Sequence, residues 1–269
     1  VGAAEVRLND GTICIRDTAT NRPWCVDLQQ GPTEFHQIAG APGLIELVDR
    51  GSAFCGRAIT DRKVWCWTVG SGGFGGAIPV ETPAFRLLTG QSTGLYHYSP
   101  GGHLCGLTDN GTAWCWGDNE YGELGDGTTI ARSLLVQVAL PEPLVTLRAS
   151  RGGACGETAD GQVWCWGSHL LGDGVLGPQR VTLPGSGSVV PNYRYLYRIG
   201  STGIDRYFRG QFIPRFPVVD EAIRVVEFTG EVDACGLGAS GDVWCSTSIT
   251  EGVSDNWGES RELHPVHEP

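Results

Sequence analysis

The sequence predicts an all-β protein with a radial architecture of repeated strand units. Three observations carry that expectation. A hairpin that opens on cysteine and closes on Trp-Cys recurs along the chain, its first four copies starting at Cys14, Cys55, Cys105 and Cys155; one such unit every roughly 40 to 50 residues marks a repeat fold rather than a domain with one unique pocket. All ten cysteines fall into pairs ten or eleven positions apart. With 41 glycines and 15 prolines against 41% hydrophobic residues, the chain is rich in turns and poor in long amphipathic helical runs.

Taken in order, the hairpins lie near 14–25, 55–66, 105–115, 155–165 and 235–245. In the third, pairing Cys105 with Cys115 centres the turn on Asp109, Asn110 and Gly111, a three-residue connection whose last residue needs positive φ. Asp160-Gly161 and Ser240-Gly241 repeat the signal. Directly opposed residues of an antiparallel pair have Cα atoms about 4.5 to 5.5 Å apart, close enough for a disulfide. The expected bridges are Cys14–Cys25, Cys55–Cys66, Cys105–Cys115, Cys155–Cys165 and Cys235–Cys245, which imply an oxidising, extracytoplasmic compartment. Zinc would require short Cys-x2-4-Cys pairs, and none is present.

In the same register Trp65, Trp114, Trp164 and Trp244 stand opposite Gly56, Gly106, Gly156 and Gly236, so each indole is expected to cover the bare backbone of its partner. Side chains alternate along a strand, so Trp114 and Trp116 point one way and Cys115 the other, as do Trp164, Trp166 and Cys165. Between Cys165 and Cys235 the interval is too long for a loop. A cysteine-free hairpin fits at 197–208, with Gly203 at the turn, Tyr197 at the first cysteine position and Tyr207-Phe208 in place of Trp-Cys.

The stretch from His103 to Thr128, HLCGLTDNGTAWCWGDNEYGELGDGT, resembles a bacterial repeat of the regulator-of-chromosome-condensation family, and ACGETADGQVWCWGSHLLGDG from Ala154 to Gly174 is a second copy. The copies around Cys14, Cys55 and Cys235 keep the hairpin and lose most of the glycine-rich loop. The resemblance implies a single β-propeller over 1–269. About six blades are countable; the family commonly has seven, and seven would place part of the ring outside this sequence. Ala3–Cys14 matches the lead-in of Leu44–Cys55, and Leu263–Val266 looks like the outgoing part of a blade, so the ring is expected to close by mixing strands from both ends.

Composition excludes several roles. The net charge is -11 with a single lysine, Lys63, so no basic footprint for nucleic acid is visible. No apolar run approaches the roughly 18 residues of a membrane span. Methionine is absent even at position 1, which points to loss of an initiator segment by processing or trimming. No Gly-x-Ser-x-Gly elbow, P-loop or dinucleotide fingerprint occurs, and pairing consumes every cysteine, so neither an enzyme nor a cofactor is expected.

Two regions could bind a ligand. The loop Gly117–Gly127 carries Asp118, Glu120 and Asp126, oxygen donors of the kind calcium takes, although its Gly-Asp elements equally shape turns. The stretch 191–216 holds five arginines against one acid, Asp205, interleaved with aromatics. Tyr193, Tyr195, Arg198, Arg206, Tyr207, Phe208, Arg209 and Phe212 have the composition of interface hot spots, and alternatively simply pack a blade that lacks its disulfide. A shorter insertion, Thr89–Ser99 with Tyr96, His97 and Tyr98, lengthens the approach to the third hairpin. The expected role is a non-catalytic scaffold or accessory subunit that binds another protein in a cell-envelope or extracellular assembly. Alternatives are a lectin-like propeller that holds glycans, and an inhibitor of a secreted enzyme.

Overall fold

A computed structural model describes residues 2–9, 11–28, 34–51, 53–70, 73–92, 102–185, 187–192, 194–200, 203–209, 211–216, 225–229, 233–237, 243–246 and 263–265; from 212 onward, and at a few positions before it, only the backbone is described. These residues form six antiparallel sheets, each from one contiguous stretch of chain. Blade 1 comprises Ala3–Asn9, Thr12–Asp17, Pro23–Asp27 and His36–Gln37, and blade 2 comprises Leu44–Arg50, Ala53–Ala58, Val64–Gly70 and Gly73–Phe74, with Ile78–Pro79 also on its third strand. Blade 3 is Phe85–Ser92, Gly102–Thr108, Ala113–Gly117 and Arg132–Gln137, and blade 4 is Arg148–Ser150, Gly153–Glu157, Val163–Trp166 and Gln179–Val181. Blade 5 is Ser188–Asn192, Tyr195–Gly200, Gly203–Phe208 and Gln211–Phe216, and blade 6 is Val225–Thr229, Asp233–Leu237, Val243–Ser246 and Leu263–Pro265. The last of these strands pairs with Val243–Ser246. Each described sheet therefore closes on its own segment, and the expected mixing of strands from the two chain ends is absent among the described residues.

The first strands of blades 1 to 5 lie side by side in order and line the inside of the arc. The strands paired to the third ones are outermost, with Ile78 and Leu134 65% and 78% exposed. The chain is a β-propeller. Because strands alternate in direction, the first-to-second and third-to-fourth connections share one side of the ring, here the loop face, and the central hairpin turns occupy the other.

Cysteine positions oppose one another as the spacing requires. Cys14–Cys25, Cys55–Cys66, Cys105–Cys115 and Cys155–Cys165 are bridged, with Cα atoms 4.0 to 4.1 Å apart. Cys235 and Cys245 stand opposite in backbone register, and their side chains lie outside the described ones. A difference of one residue in spacing is taken up in the turns. Blades 3 and 4 use three-residue turns ending in Gly111 and Gly161, at φ 82° and 83°. Blades 1 and 2 need one residue more, and there Asn21 and Arg62 take the left-handed position at φ 58°. Asp17 holds the first of these turns, accepting hydrogen bonds from the backbone N–H groups of Ala19, Thr20 and Arg22 and from the Thr20 hydroxyl. Those donors, Thr20 above all, lower its pKa far below the usual carboxylate range.

Each stapled face packs on the tryptophan face of the next blade. Cys14 and Cys25 meet Phe54 and Trp67; Cys55 meets Leu104 and Trp116; Cys105 and Cys115 meet Ala154 and Trp166; Cys155 and Cys165 meet Leu196 and Tyr207. The second tryptophan of each Trp-Cys-Trp run is the buried one: Trp67, Trp116 and Trp166 are at most 2% exposed. The expected lid on each glycine is different from the one observed. A Cβ on Gly56, Gly106 or Gly156 would lie 2.4 to 2.6 Å from Leu44, Phe85 or Leu144. The first strand, or in blade 4 the segment leading into it, therefore supplies the side chain nearest the bare backbone, ahead of the tryptophan across the hairpin.

Polar links cross the same seams. Leu47 of blade 2 donates its N–H to Glu5 and accepts from Arg7 Nε, both in blade 1. Arg57 holds Glu46 with two hydrogen bonds of 2.7 and 2.6 Å and reaches the Phe85 carbonyl of blade 3. Arg62 grips Asp109 across the hairpin tips of blades 2 and 3. In blade 4, Glu157 accepts the Val189 N–H of blade 5.

Candidate partner-binding site

The loop face is where blades differ. In blade 3 the glycine-rich loop after Trp116 is wound around Asn119, which is 1% exposed. Its Nδ2 donates to Asp126 and to the Thr128 and Ile130 carbonyls, and its Oδ1 accepts the Leu124 N–H. Asp126 accepts from Thr128 and pairs with Arg132. Its carboxylate is thus committed to shaping the turn, and this hydrogen bonding lowers its pKa even though burial opposes the shift. Among the described residues no three His, Cys, Asp or Glu side chains converge as metal ligands. Asp118 and Glu120 accordingly do not combine with Asp126 into such a set.

That loop delivers Tyr121. Glu123 Oε2 accepts the Tyr121 N–H, and the Tyr121 carbonyl accepts the Ser168 N–H of blade 4 at 2.7 Å. Trp166 donates from Nε1 to the Glu123 carbonyl, 2.8 Å away. So fixed, the Tyr121 ring stacks on His169, in the short Ser168–Leu171 helical turn, with centroids 3.6 Å apart. Burial pushes the His169 pKa down to about 4, and the fields of Arg194, Arg151 and Arg209 push the same way, opposed by Asp173. The imidazole is neutral at physiological pH.

Those three arginines come from loop-face connections of two blades: Arg151 after the first strand of blade 4, Arg194 after the first strand of blade 5, and Arg209 after its third. Arg194 is exposed, Arg151 half-buried, and the Arg209 side chain 46% exposed. Arg209 sits at φ 48°, with its guanidinium 5.6 Å from the Phe208 centroid and 3.4 Å from the Asp173 carboxylate. Three arginines and a stacked aromatic pair thus share one side of blades 3 to 5.

The residues singled out in 191–216 divide by strand face. Tyr195, Tyr197, Arg198 and Tyr207 are at most 8% exposed. Tyr207 packs with Leu196 against the blade 4 staple, and Arg198 donates to the Gly185 carbonyl. Arg206 lies 5.4 Å from the Tyr195 ring centroid. The register places Arg206, not Phe208, opposite Tyr197, and Tyr207 opposite Leu196. Tyr207 therefore stands where Trp116 stands in blade 3, because Gly200 pairs with Gly203 and this register shifts the pairing. Phe208 is half-buried, Tyr193 lies outside the described residues, and Phe212 is described by backbone alone. Thr89 falls in a strand and donates nothing to the site: its hydroxyl accepts the Ala149 N–H. Tyr96, His97 and Tyr98 lie outside the described residues.

Residues 101–123 match the model of the regulator of chromosome condensation (RCC1) repeat. The chain carries an RCC1-type repeat on an RCC1-like propeller. No curated protein matches it in sequence. Among solved structures, Prp20p of Saccharomyces cerevisiae, described with its binding to Gsp1p and histones, is 12% identical at a TM-score of 0.68, covering 90% of this chain and 71% of that one. Human WBSCR16 is 13% identical at 0.68, covering 98% and 83%. The ectodomain of the Physcomitrella patens receptor kinase CR4 is 17% identical at 0.59, covering 91% and 61%. At these identities the likeness is one of fold.

Sequence reasoning missed Tyr121, His169 and Arg151. The signal open to it was the Tyr-Gly-Glu-Leu-Gly run after Trp116 and the His-Leu-Leu run after Trp166, which occupy equivalent places in successive repeats.

Proposed function

We propose that this RCC1-repeat propeller is a non-catalytic, extracytoplasmic scaffold that binds another protein, as an accessory subunit of a cell-envelope or extracellular assembly or as an inhibitor of a secreted enzyme. The observation that carries the reading is the separation of roles between strands and loops. Repeated tryptophans and disulfides are spent between blades, while Tyr121, His169, Arg151, Arg194 and Arg209 meet on the loop face. Arginine and aromatic side chains bring large planar contact area and dominate interface energetics. Four staples support the oxidising compartment. RCC1-like propellers include protein binders, Prp20p among them. Burial of Trp67, Trp116 and Trp166 removes the repeated stacking platforms on which glycan binding would rest.

The test is native purification from the extracytoplasmic fraction followed by size-exclusion with light scattering. A stoichiometric complex well above 28.7 kDa that contains a second protein is expected. Elution of the bare chain at that mass, at physiological concentration, would overturn the reading.

A further inference from the structure

We propose that Asn110-Gly111 is a latent deamidation site, where the backbone nitrogen of Gly111 displaces the Asn110 side-chain amide once the turn opens, and that the Cys105–Cys115 staple and a cover from blade 4 keep it closed. The reaction needs no partner protein.

Of the asparagines in the chain, Asn110 alone precedes a glycine. With no Cβ beside it, the Gly111 nitrogen is the least hindered nucleophile a following residue can offer. In the reaction the Gly111 N–H gives its proton to hydroxide, the N–Cγ bond forms, the Cγ–Nδ2 bond breaks, and Nδ2 leaves as ammonia with a proton from water. Water then opens the five-membered imide at either carbonyl, so the products are aspartate and an isoaspartate whose backbone runs through the former side chain. Nothing is oxidised or reduced.

The folded turn opposes each step. Asn110 is exposed at the hairpin tip of blade 3, whereas Gly111 is buried. The Thr108 carbonyl accepts the Gly111 N–H at 3.0 Å, so the proton that must leave is already hydrogen-bonded. Asn110 Oδ1 accepts from the Thr108 hydroxyl at 2.5 Å and from the Thr112 N–H at 3.2 Å, which fixes the side chain on the turn. The Gly111 carbonyl accepts the Leu144 N–H, and a Cβ on Gly111 would lie 2.6 Å from Pro143. The segment leading into blade 4 thus covers the reacting peptide. Attack requires local opening, and the staple of blade 3 works against it.

Blade 4 supplies the comparison. There the Thr158 carbonyl accepts the Gly161 N–H at 3.0 Å, and the Thr158 hydroxyl donates to Asp160, which takes the place of Asn110. Gly161 is exposed, with nothing within 4 Å of an added Cβ. The uncovered turn therefore carries a carboxylate, a poorer electrophile than an amide, and the covered turn carries the amide. Asp160 also shows that an aspartate product fits this turn. Isoaspartate would add a backbone atom and draw Asp109 away from Arg62, its partner across the hairpin tips of blades 2 and 3.

The experiment incubates the full oxidised chain at pH 8 and 37 °C beside the reduced chain and the reduced chain in urea. Peptide mapping follows Asn110, because both products differ from asparagine in mass and from each other in retention. Expected is a half-time at least roughly tenfold longer in the oxidised chain than in urea, with the reduced chain close to the urea value. In oxidised Asp160→Asn, the amide placed at position 160 should be lost several-fold faster than that of Asn110. Asn110 in the same molecule reports whether the ring is intact, since it stays slow only there. Equal half-times in the oxidised chain and in urea, no loss in urea, a reduced chain as slow as the oxidised one, or loss at position 160 no faster than at Asn110 would each overturn the proposal.

Discussion

Glu123 shows how one residue is made to serve the loop at a cost. Only 3% exposed, it accepts the Tyr121 N–H, yet burial outweighs that hydrogen bond and raises its pKa to about 6, with Asp118 and Glu120 adding to the rise. A carboxyl whose folded pKa exceeds its unfolded value of 4.5 is destabilising when ionised. The penalty is fully present above pH 6 and disappears as pH falls from about 6 to 4.5. Glu123→Gln keeps an oxygen for the Tyr121 N–H and removes the charge. It should raise unfolding free energy at pH 7.5 by up to about 2 kcal/mol and have little effect at pH 4. Urea titrations at the two pH values check this; equal gains at both would contradict it. Gly106 makes the opposite case. A methyl there would sit 2.5 Å from the Phe85 ring, so Gly106→Ala should cost about 1 to 3 kcal/mol, partly recovered when Phe85→Leu is added. Additive losses in the double variant would show that the ring is not the obstacle.

Among elements, blade 5 has no cysteine and hence no staple. Closing a turn of ten or eleven residues stabilises a blade by about 3 kcal/mol in the chain-entropy model. Tyr197 and Arg206 stand at the equivalent opposed positions and supply packing instead. Blade 5 should therefore open first: native-state hydrogen exchange is expected to be faster in Tyr195–Phe208 than in Gly102–Gly117, and Cys105→Ser/Cys115→Ser should bring blade 3 down towards the same level. Equal protection in the oxidised wild type would refute this. Much at this scale was legible in the sequence. Cysteine spacing fixed four hairpins to the residue, and Asp109-Asn110-Gly111 announced its own turn, because both depend on local geometry. The cysteine-free hairpin is read from sequence with its second strand misaligned, since nothing in the stretch 197–208 marks the pairing of Tyr197 with Arg206 as clearly as a cysteine pair marks a ten-residue spacing. First strands such as Leu44–Arg50 and Phe85–Ser92 supply the residues against the hairpin glycines, and that contact lies 12 or 21 positions away in sequence. The Tyr121, His169 and arginine cluster was illegible for the same reason, being assembled from loops of three blades.

For the molecule as a whole, staples and seams are a single system, because each disulfide is part of the next blade's core. Reduction does not merely loosen the four described hairpins; it frees the wall against which Trp67, Trp116, Trp166 and Tyr207 are packed. Four described bridges at about 3 kcal/mol each amount to about 12 kcal/mol, the size of the entire net stability of an ordinary domain. The reduced chain should accordingly lose its ordered tryptophan environment at 37 °C. Near-ultraviolet circular dichroism with and without dithiothreitol reads this directly, and intact mass on the same samples should rise by ten hydrogens if the Cys235–Cys245 pair is bridged as well. A smaller mass gain would remove that fifth bridge. An unchanged near-ultraviolet spectrum after full reduction would mean that packing alone sustains the ring, and the inference from disulfides to an oxidising compartment would lose its physical basis.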